Sequence, residues 1–180
     1  MVLQGQPCGR VGRRRIFVTN GPLSRSRLSG PFVVKAPLAT NVTVAEYEPT
    51  IVRWFRAHGE GRAERAAAGE RAGRATIEVA DVADVLTARP EGFDLVSVDT
   101  DNGPDWLVRE ANADLYSEAG VQLALLALRP GGAVVFWSPD RYAAFEQSLA
   151  GVFARVLPVA AFDVVQGRRH EYTMYVGLRD

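Results

Sequence analysis

Three carboxylates close three apolar runs in this chain. Glu46 follows Asn41-Val-Thr-Val-Ala, Asp81 follows Thr76-Ile-Glu-Val-Ala80, and Asp99 ends Phe93-Asp-Leu-Val-Ser-Val-Asp99. A carboxylate accepts hydrogen bonds only, so it can hold a diol or an exocyclic amine, and it can take the proton of an amine that is inert while protonated. Each acid also has a plainer reading. Glu46 could cap a surface helix, and Asp81 could be a simple N-cap, a position that Asp favours. Asp99 stands among Asp94, Asp101, Asp105, Glu110, Asp114 and Glu118, with Arg109 the one basic residue from 94 to 118. That field would attract a polycation, or it is a solvated acidic loop. Tyr116 either lines the same pocket or packs at a helix start.

The elements that must position these residues follow from periodicity. The β-branched run 41–46 is a strand, and Pro49 suits the first turn of a helix whose apolar face is Ile51, Val52, Phe55 and Trp54. Residues 58–74, rich in Gly, Arg, Glu and Ala, read as an exposed helix end and loop. Strands follow at 76–80 and 93–99, with a short helix through Val85 and Leu86 between them. A helix from about Asn112 turns Leu115, Val121, Leu125 and Leu128 inward, and Arg129-Pro-Gly-Gly132 stops it. Ala133–Ser138 is a further strand, and residues 140–151 form an amphipathic helix with Tyr142, Phe145 and Leu149. The end is a hairpin, Val156–Val165 and Tyr172–Leu178, turning at Gln166-Gly-Arg-Arg169. Strands alternating with helices imply a parallel sheet whose ligands bind beyond the strands' carboxyl ends, where the three acids stand.

From Asn41 to Arg179 the chain resembles the S-adenosylmethionine-dependent transferase superfamily, and within it the spermidine synthase-like branch. Val42-Thr-Val-Ala-Glu46 and Leu128-Arg-Pro-Gly-Gly132 are segments common in the superfamily. The narrower signature is Glu91-Gly-Phe-Asp-Leu-Val-Ser-Val-Asp-Thr-Asp-Asn-Gly-Pro104 followed by Leu115-Tyr-Ser117. The resemblance implies an α/β, Rossmann-like methyltransferase fold: a mostly parallel sheet, helices on both faces and a C-terminal antiparallel hairpin. It implies that Glu46 takes the ribose hydroxyls with Tyr47 beside it, that Asp81 accepts from the adenine amine, and that Val82 lies by the ring. Asp99, with Asp101 and Tyr116, would bind and deprotonate an amine acceptor. The implied co-substrate is S-adenosylmethionine or its decarboxylated form, the transferred group aminopropyl or methyl, and no metal is required.

The chain departs from that family near its start. It has no Gly-x-Gly-x-Gly loop, and the best stand-in is Arg15-Ile-Phe-Val-Thr-Asn20-Gly-Pro22, which makes Gly21 the glycine nearest the cofactor. Residues 1–40 therefore read as an atypical basic segment with a degenerate first strand and loop, and 41–180 as the α/β domain. A degenerate loop, a lost cofactor site and a segment foreign to the fold are all open. A non-catalytic, partner-binding remnant is thus the alternative to a transferase. A nicotinamide-dependent oxidoreductase fits less well, lacking Gly-x-Gly-x-x-G.

Composition narrows the remaining classes. The 180 residues suit one domain, and no apolar run reaches the roughly 20 residues of a membrane span. One cysteine, Cys8, allows no internal disulfide and no zinc site of its own. The cytoplasm is the expected compartment, and Arg in place of Lys points to a GC-rich bacterial genome. Seven basic residues and no acid occur up to residue 45, yet no aromatics interleave with them, so nucleic acid is not an expected partner. A small-molecule amine is the expected partner, and a homodimer is allowed but not demanded. His170 lacks a second ligand at metal spacing, and Trp106 and Trp137 near strand ends suit either an aromatic wall or packing. Ser138 has no Gly-x-Ser-x-Gly context, so serine hydrolysis has no support.

Overall fold

Short β-branched runs separated by helical segments build one seven-stranded sheet in the computed structural model, which describes residues 14–20, 39–59, 61–100, 103–107 and 109–180. The strands are β1 (Arg14–Asn20), β2 (Ala39–Glu46), β3 (Ala75–Val79), β4 (Phe93–Asp99), β5 (Leu128–Ser138), β6 (Arg155–Val165) and β7 (Arg168–Leu178). The helices are α1 (Pro49–His58), α2 (Arg62–Arg71), α3 (Val82–Thr87), α4 (Ala113–Tyr116), α5 (Glu118–Ala127) and α6 (Ala143–Val152), with a 3-10 turn at Glu110–Asn112. The order across the sheet is β3-β2-β1-β4-β5-β7-β6. β1 to β5 run parallel, and β7 runs antiparallel to β5 and β6. Helices cover both faces, giving the expected α/β fold with its C-terminal hairpin.

The weakest strand of the sequence is central. β1 pairs with β2 on one side and β4 on the other, so the chain leaves it toward opposite edges in succession. That reversal is where open α/β sheets form their ligand crevice. The registers Asn20–Asp99 and Glu46–Val79 bring the carboxyl ends of β1 to β4 to one edge.

The core lies where α3, α4, α5 and α6 cover the sheet. Val96, Val134 and Phe136 from β4 and β5 meet Val121, Ala124 and Ala127 of α5 and Phe145 and Leu149 of α6, all fully or nearly fully buried. The small side chains of α5 let that helix approach the sheet closely, and Leu128 carries the core directly into β5.

Four local expectations are corrected. Residues 62–71 form α2 rather than a loop: Ala, Arg and Glu are strong helix formers, and the helix persists although none of its described side chains is fully buried. The helix expected to run from Asn112 to Leu128 breaks at Ser117. Ser117 Oγ accepts the Gly120 N–H at 3.2 Å as the N-cap of α5 and donates to the Asp114 carbonyl at 2.7 Å. Gly120 is required at this elbow, since an added Cβ would lie 2.1 Å from the Asp114 carbonyl oxygen. Arg129-Pro-Gly-Gly132 does not merely stop a helix but joins β5, with Gly131 at a φ of 77° and its N–H bonded to the Arg179 carbonyl. The hairpin turns on Gln166 and Gly167 alone, both at positive φ, and Arg168 and Arg169 belong to β7. This two-residue geometry matches the twist of the strands that it joins.

The cap at Ser117 gives a direct check. Ser117→Ala is expected to lower unfolding free energy by about 1 kcal/mol, read from the urea midpoint at unchanged slope. An unchanged midpoint would mean that α5 is held by its packing alone.

Candidate functional site

At the end of β2, Glu46 is buried, 7% exposed, although it is a carboxylate at a sheet edge. Burial pushes its carboxyl above the ordinary 4.5, and the nearby Glu48 charge adds to this, while N–H bonds from Glu48 and Tyr47 oppose it. The Glu48 N–H donates to Glu46 Oε1 at 2.9 Å. Capping of α1 falls instead to Glu48, which accepts from the Thr50 N–H at 2.8 Å. Glu46 is thus not the helix cap.

Asp81 does cap a helix. Its Oδ1 accepts the Ala83 N–H at 2.9 Å at the start of α3, and its Oδ2 lies 3.7 Å from Arg109. The cap uses one carboxylate oxygen and the Arg109 ion pair engages the other. Val82 is buried as the first residue of α3. Tyr47 is half exposed, and the Arg109 guanidinium lies 3.6 Å from its ring centroid. Arg109, beyond β4, therefore ties the ends of β2 and β3 together. Sequence reasoning marked it only as the lone cation in an acidic stretch, which is the signal that could have raised it.

Asp99 ends β4, half-buried, and Thr100 after it is buried with its hydroxyl 3.4 Å from the Tyr116 hydroxyl. The Tyr116 ring is buried in an aromatic cluster, 5.4 Å from Phe145 and 6.1 Å from Phe136. Tyr116 thus presents only its hydroxyl end to the strand termini, and its ring is core. Asp101 and Gly21 lie outside the described residues.

The acidic field is smaller than the sequence suggested. Asp94 sits at the other end of β4, with its carboxylate 3.6 Å from Arg129, so it does not face the carboxyl edge. Asp105, Glu110, Asp114 and Glu118 are exposed. Trp106 is exposed, and half-buried Trp137 lies 6.0 Å from Tyr172. His170 is exposed on the hairpin, opposite Asp163, on the part of β7 that extends past the carboxyl end of β5, where Ser138 pairs with Thr173. Among the described residues, no helix is long and apolar enough to cross a membrane.

A buried carboxylate after the second strand and a second after the third offer hydrogen-bond acceptors, beside a half-exposed tyrosine ring that carries the Arg109 guanidinium on one face. Asp99 adds a third carboxylate at the end of β4, with β1 lying between it and β2.

No family profile matches the chain, and no curated protein matches it. Solved structures do. A spermidine synthase from Thermotoga maritima superposes with a TM-score of 0.69 at 16% identity, covering 93% of this chain and 54% of that one. A spermidine synthase in complex with the transition-state analogue AdoDATO gives 0.68 at 14% identity, with 93% and 54% covered. A probable spermidine synthase from Corynebacterium glutamicum gives 0.60 at 18% identity, with 91% and 56% covered. The chain spans about half the length of these proteins, and the likeness is one of fold. It has the spermidine synthase-like, methyltransferase-type α/β fold.

Proposed function

We propose that this protein is a spermidine synthase-like transferase that moves an aminopropyl group from decarboxylated S-adenosylmethionine, or a methyl group from S-adenosylmethionine, to a small amine. The observation that carries it is the buried Glu46 carboxylate, held by backbone N–H groups at the end of β2 and sharing one sheet edge with Asp81 and Asp99. A carboxylate is rarely buried without a task, because desolvation disfavours its charged form.

Glu46 would accept the ribose hydroxyls, Asp81 Oδ2 the base's amine, and Tyr47 would carry the base on its ring. The sulfonium donor, when bound, supplies an activated carbon and a thioether leaving group. Asp99 would accept an N–H of the acceptor, hold its lone pair toward that carbon and take the proton released as the C–N bond forms and the C–S bond breaks. The bonding pair stays on sulfur, so a neutral thioether, methylthioadenosine, leaves. Positioning and proton acceptance are the two contributions the chain makes.

A second reading is favoured by one observation. Arg109 covers Tyr47 and pairs with Asp81, so two residues of the nucleoside site already have a partner within the chain. A non-catalytic module would keep that arrangement permanently. The two readings separate on incubation with decarboxylated S-adenosylmethionine and putrescine. Spermidine and methylthioadenosine in equal amounts are expected. Neither product, from protein that melts cooperatively and with S-adenosylmethionine also unreactive, would favour the module.

A further inference from the structure

Among the described residues, β6 pairs with β7 alone, so one side of this 11-residue strand forms an edge of the sheet. Its backbone divides by parity. Val165 and Arg168 pair with each other across a two-residue hairpin turn, so odd-numbered residues of β6 bond to β7 and even-numbered ones turn their N–H and C=O groups outward. Two observations agree with that division. Pro158, which has no N–H to give, is even-numbered, and the Val164 N–H is taken by Asp163 Oδ1 at 2.7 Å.

An edge of this kind is a template for another strand, and proteins commonly guard it with Lys, other charges or Pro. β6 carries one Pro and two charges, Arg155 and Asp163. Between those charges the strand is apolar on both faces. Leu157 and Val159 on one face are 47% and 40% exposed, and Phe162 on the other is 54% exposed. Scattered apolar residues on a surface need no explanation, but a run of them along an open strand edge marks a contact surface.

The charges say which strand fits. Arg155 and Asp163 are equally spaced about Val159. A second β6, laid antiparallel about a two-fold axis at Val159, brings Arg155 of each copy opposite Asp163 of the other. The same register sets Val156 against Phe162 and Leu157 against Ala161, on matching faces. The outward N–H groups of Val156, Ala160 and Phe162 then meet carbonyls, and Pro158, opposite Ala160, withholds only its own bond. Val164, whose N–H Asp163 already takes, falls beyond the end of the paired strand.

We infer that β6 is the contact strand of a symmetric homodimer, in which two copies join edge to edge into one continuous sheet with Arg155 of each facing Asp163 of the other. A self-complementary contact of this kind closes on itself and leaves β6 no open edge. The inference does not rest on the transferase reading, since Glu46, Asp81 and Asp99 all lie outside β6, with β5 and β7 between it and β4.

The test is sedimentation velocity over a micromolar concentration series. Wild-type protein is expected to sediment as a dimer. Arg155→Asp and Asp163→Arg each set like charges against each other at both ends of the contact, and each should weaken dimerisation by about thirtyfold or more. Mixed in equal amounts, the two variants are complementary and should associate with near wild-type affinity. Val159→Lys, with two ammonium groups meeting at the axis, should give a monomer that still melts cooperatively, because the side chain is already half exposed. A monomeric wild type would overturn the inference. So would a dimer indifferent to all three substitutions, whose contact must lie elsewhere. Charge variants that dissociate but fail to recombine when mixed would overturn it as well, because the two charges would then not face each other.

Discussion

Asp99→Asn is expected to lower the rate of amine transfer by about 10²–10⁴ while leaving methylthioadenosine affinity within a fewfold of wild type. Asn keeps the size and one acceptor oxygen, so the acceptor can still be held. It cannot take a proton, and the amine must then lose its proton to water without a positioned base. Because Asp99 ends β4 on the far side of β1 from Glu46, its loss should not touch the nucleoside end. The measurement is single-turnover product formation at saturating donor, beside a binding titration. A variant that loses donor affinity and transfer rate in proportion would instead make Asp99 a part of the nucleoside site.

Glu46→Gln should act at the other end. Two ribose hydroxyls bonded to one carboxylate are together worth enough that its neutral replacement is expected to weaken methylthioadenosine binding by about a hundredfold. The effect on stability has the opposite character. Glu46 has a raised carboxyl pKa in the fold, so the folded protein binds this proton more tightly than the unfolded chain does. As pH falls from neutral toward 4.5, this group therefore adds stability, whereas nucleoside affinity falls as the carboxylate is lost. Glu146, whose carboxyl Arg141 holds low, works in the other direction, its stabilisation being lost as pH falls through that lowered value. The Glu46 contribution is consequently read as the difference between wild type and Glu46→Gln across that range. Wild-type affinity should fall on acidification and the variant's weak affinity should stay flat. Parallel pH profiles would remove Glu46 from the site.

The parts of the fold legible in sequence were those with strong local signals. The β-branched runs ending at Glu46 and Asp99, Pro49 at the start of α1 and the terminal hairpin all lie where periodicity placed them. The errors arose where two local preferences competed. The Ala, Arg and Glu content of 62–71 carried helix propensity without an apolar stripe, and the missing stripe was read as a loop. The break at Ser117 depends on a hydroxyl cap and on Gly120 meeting the Asp114 carbonyl, a contact that exists only once the elbow is formed. Arg129-Pro-Gly-Gly132 looks like punctuation, yet it is drawn into β5 by the bonds between its glycines and Arg179, which is distant in sequence.

The site divides in the same way. The placement of Glu46, Asp81 and Asp99 at one edge follows from strand ends and parallel topology, both visible in sequence. The cap made by Asp81 is one of the two readings its sequence position offers, whereas the burial of Glu46 and the removal of Asp94 to Arg129 are not legible there, since they depend on which side chain lies opposite after folding. In sequence, Arg109 is an isolated cation and Ser138 a serine without a hydrolase motif. Only the fold brings Arg109 to Tyr47 and buries Ser138 beside Gly103.

The central claim is that the carboxyl edge of β1 to β4 is a working nucleoside site, and a thermal-shift titration with S-adenosylmethionine, its decarboxylated form and methylthioadenosine tests it most directly. The account predicts a saturable rise in melting temperature that grows with ligand concentration, as mass action requires of a ligand that binds the folded state, and that is lost in Glu46→Gln. A cooperative melt that none of the three ligands moves would contradict it.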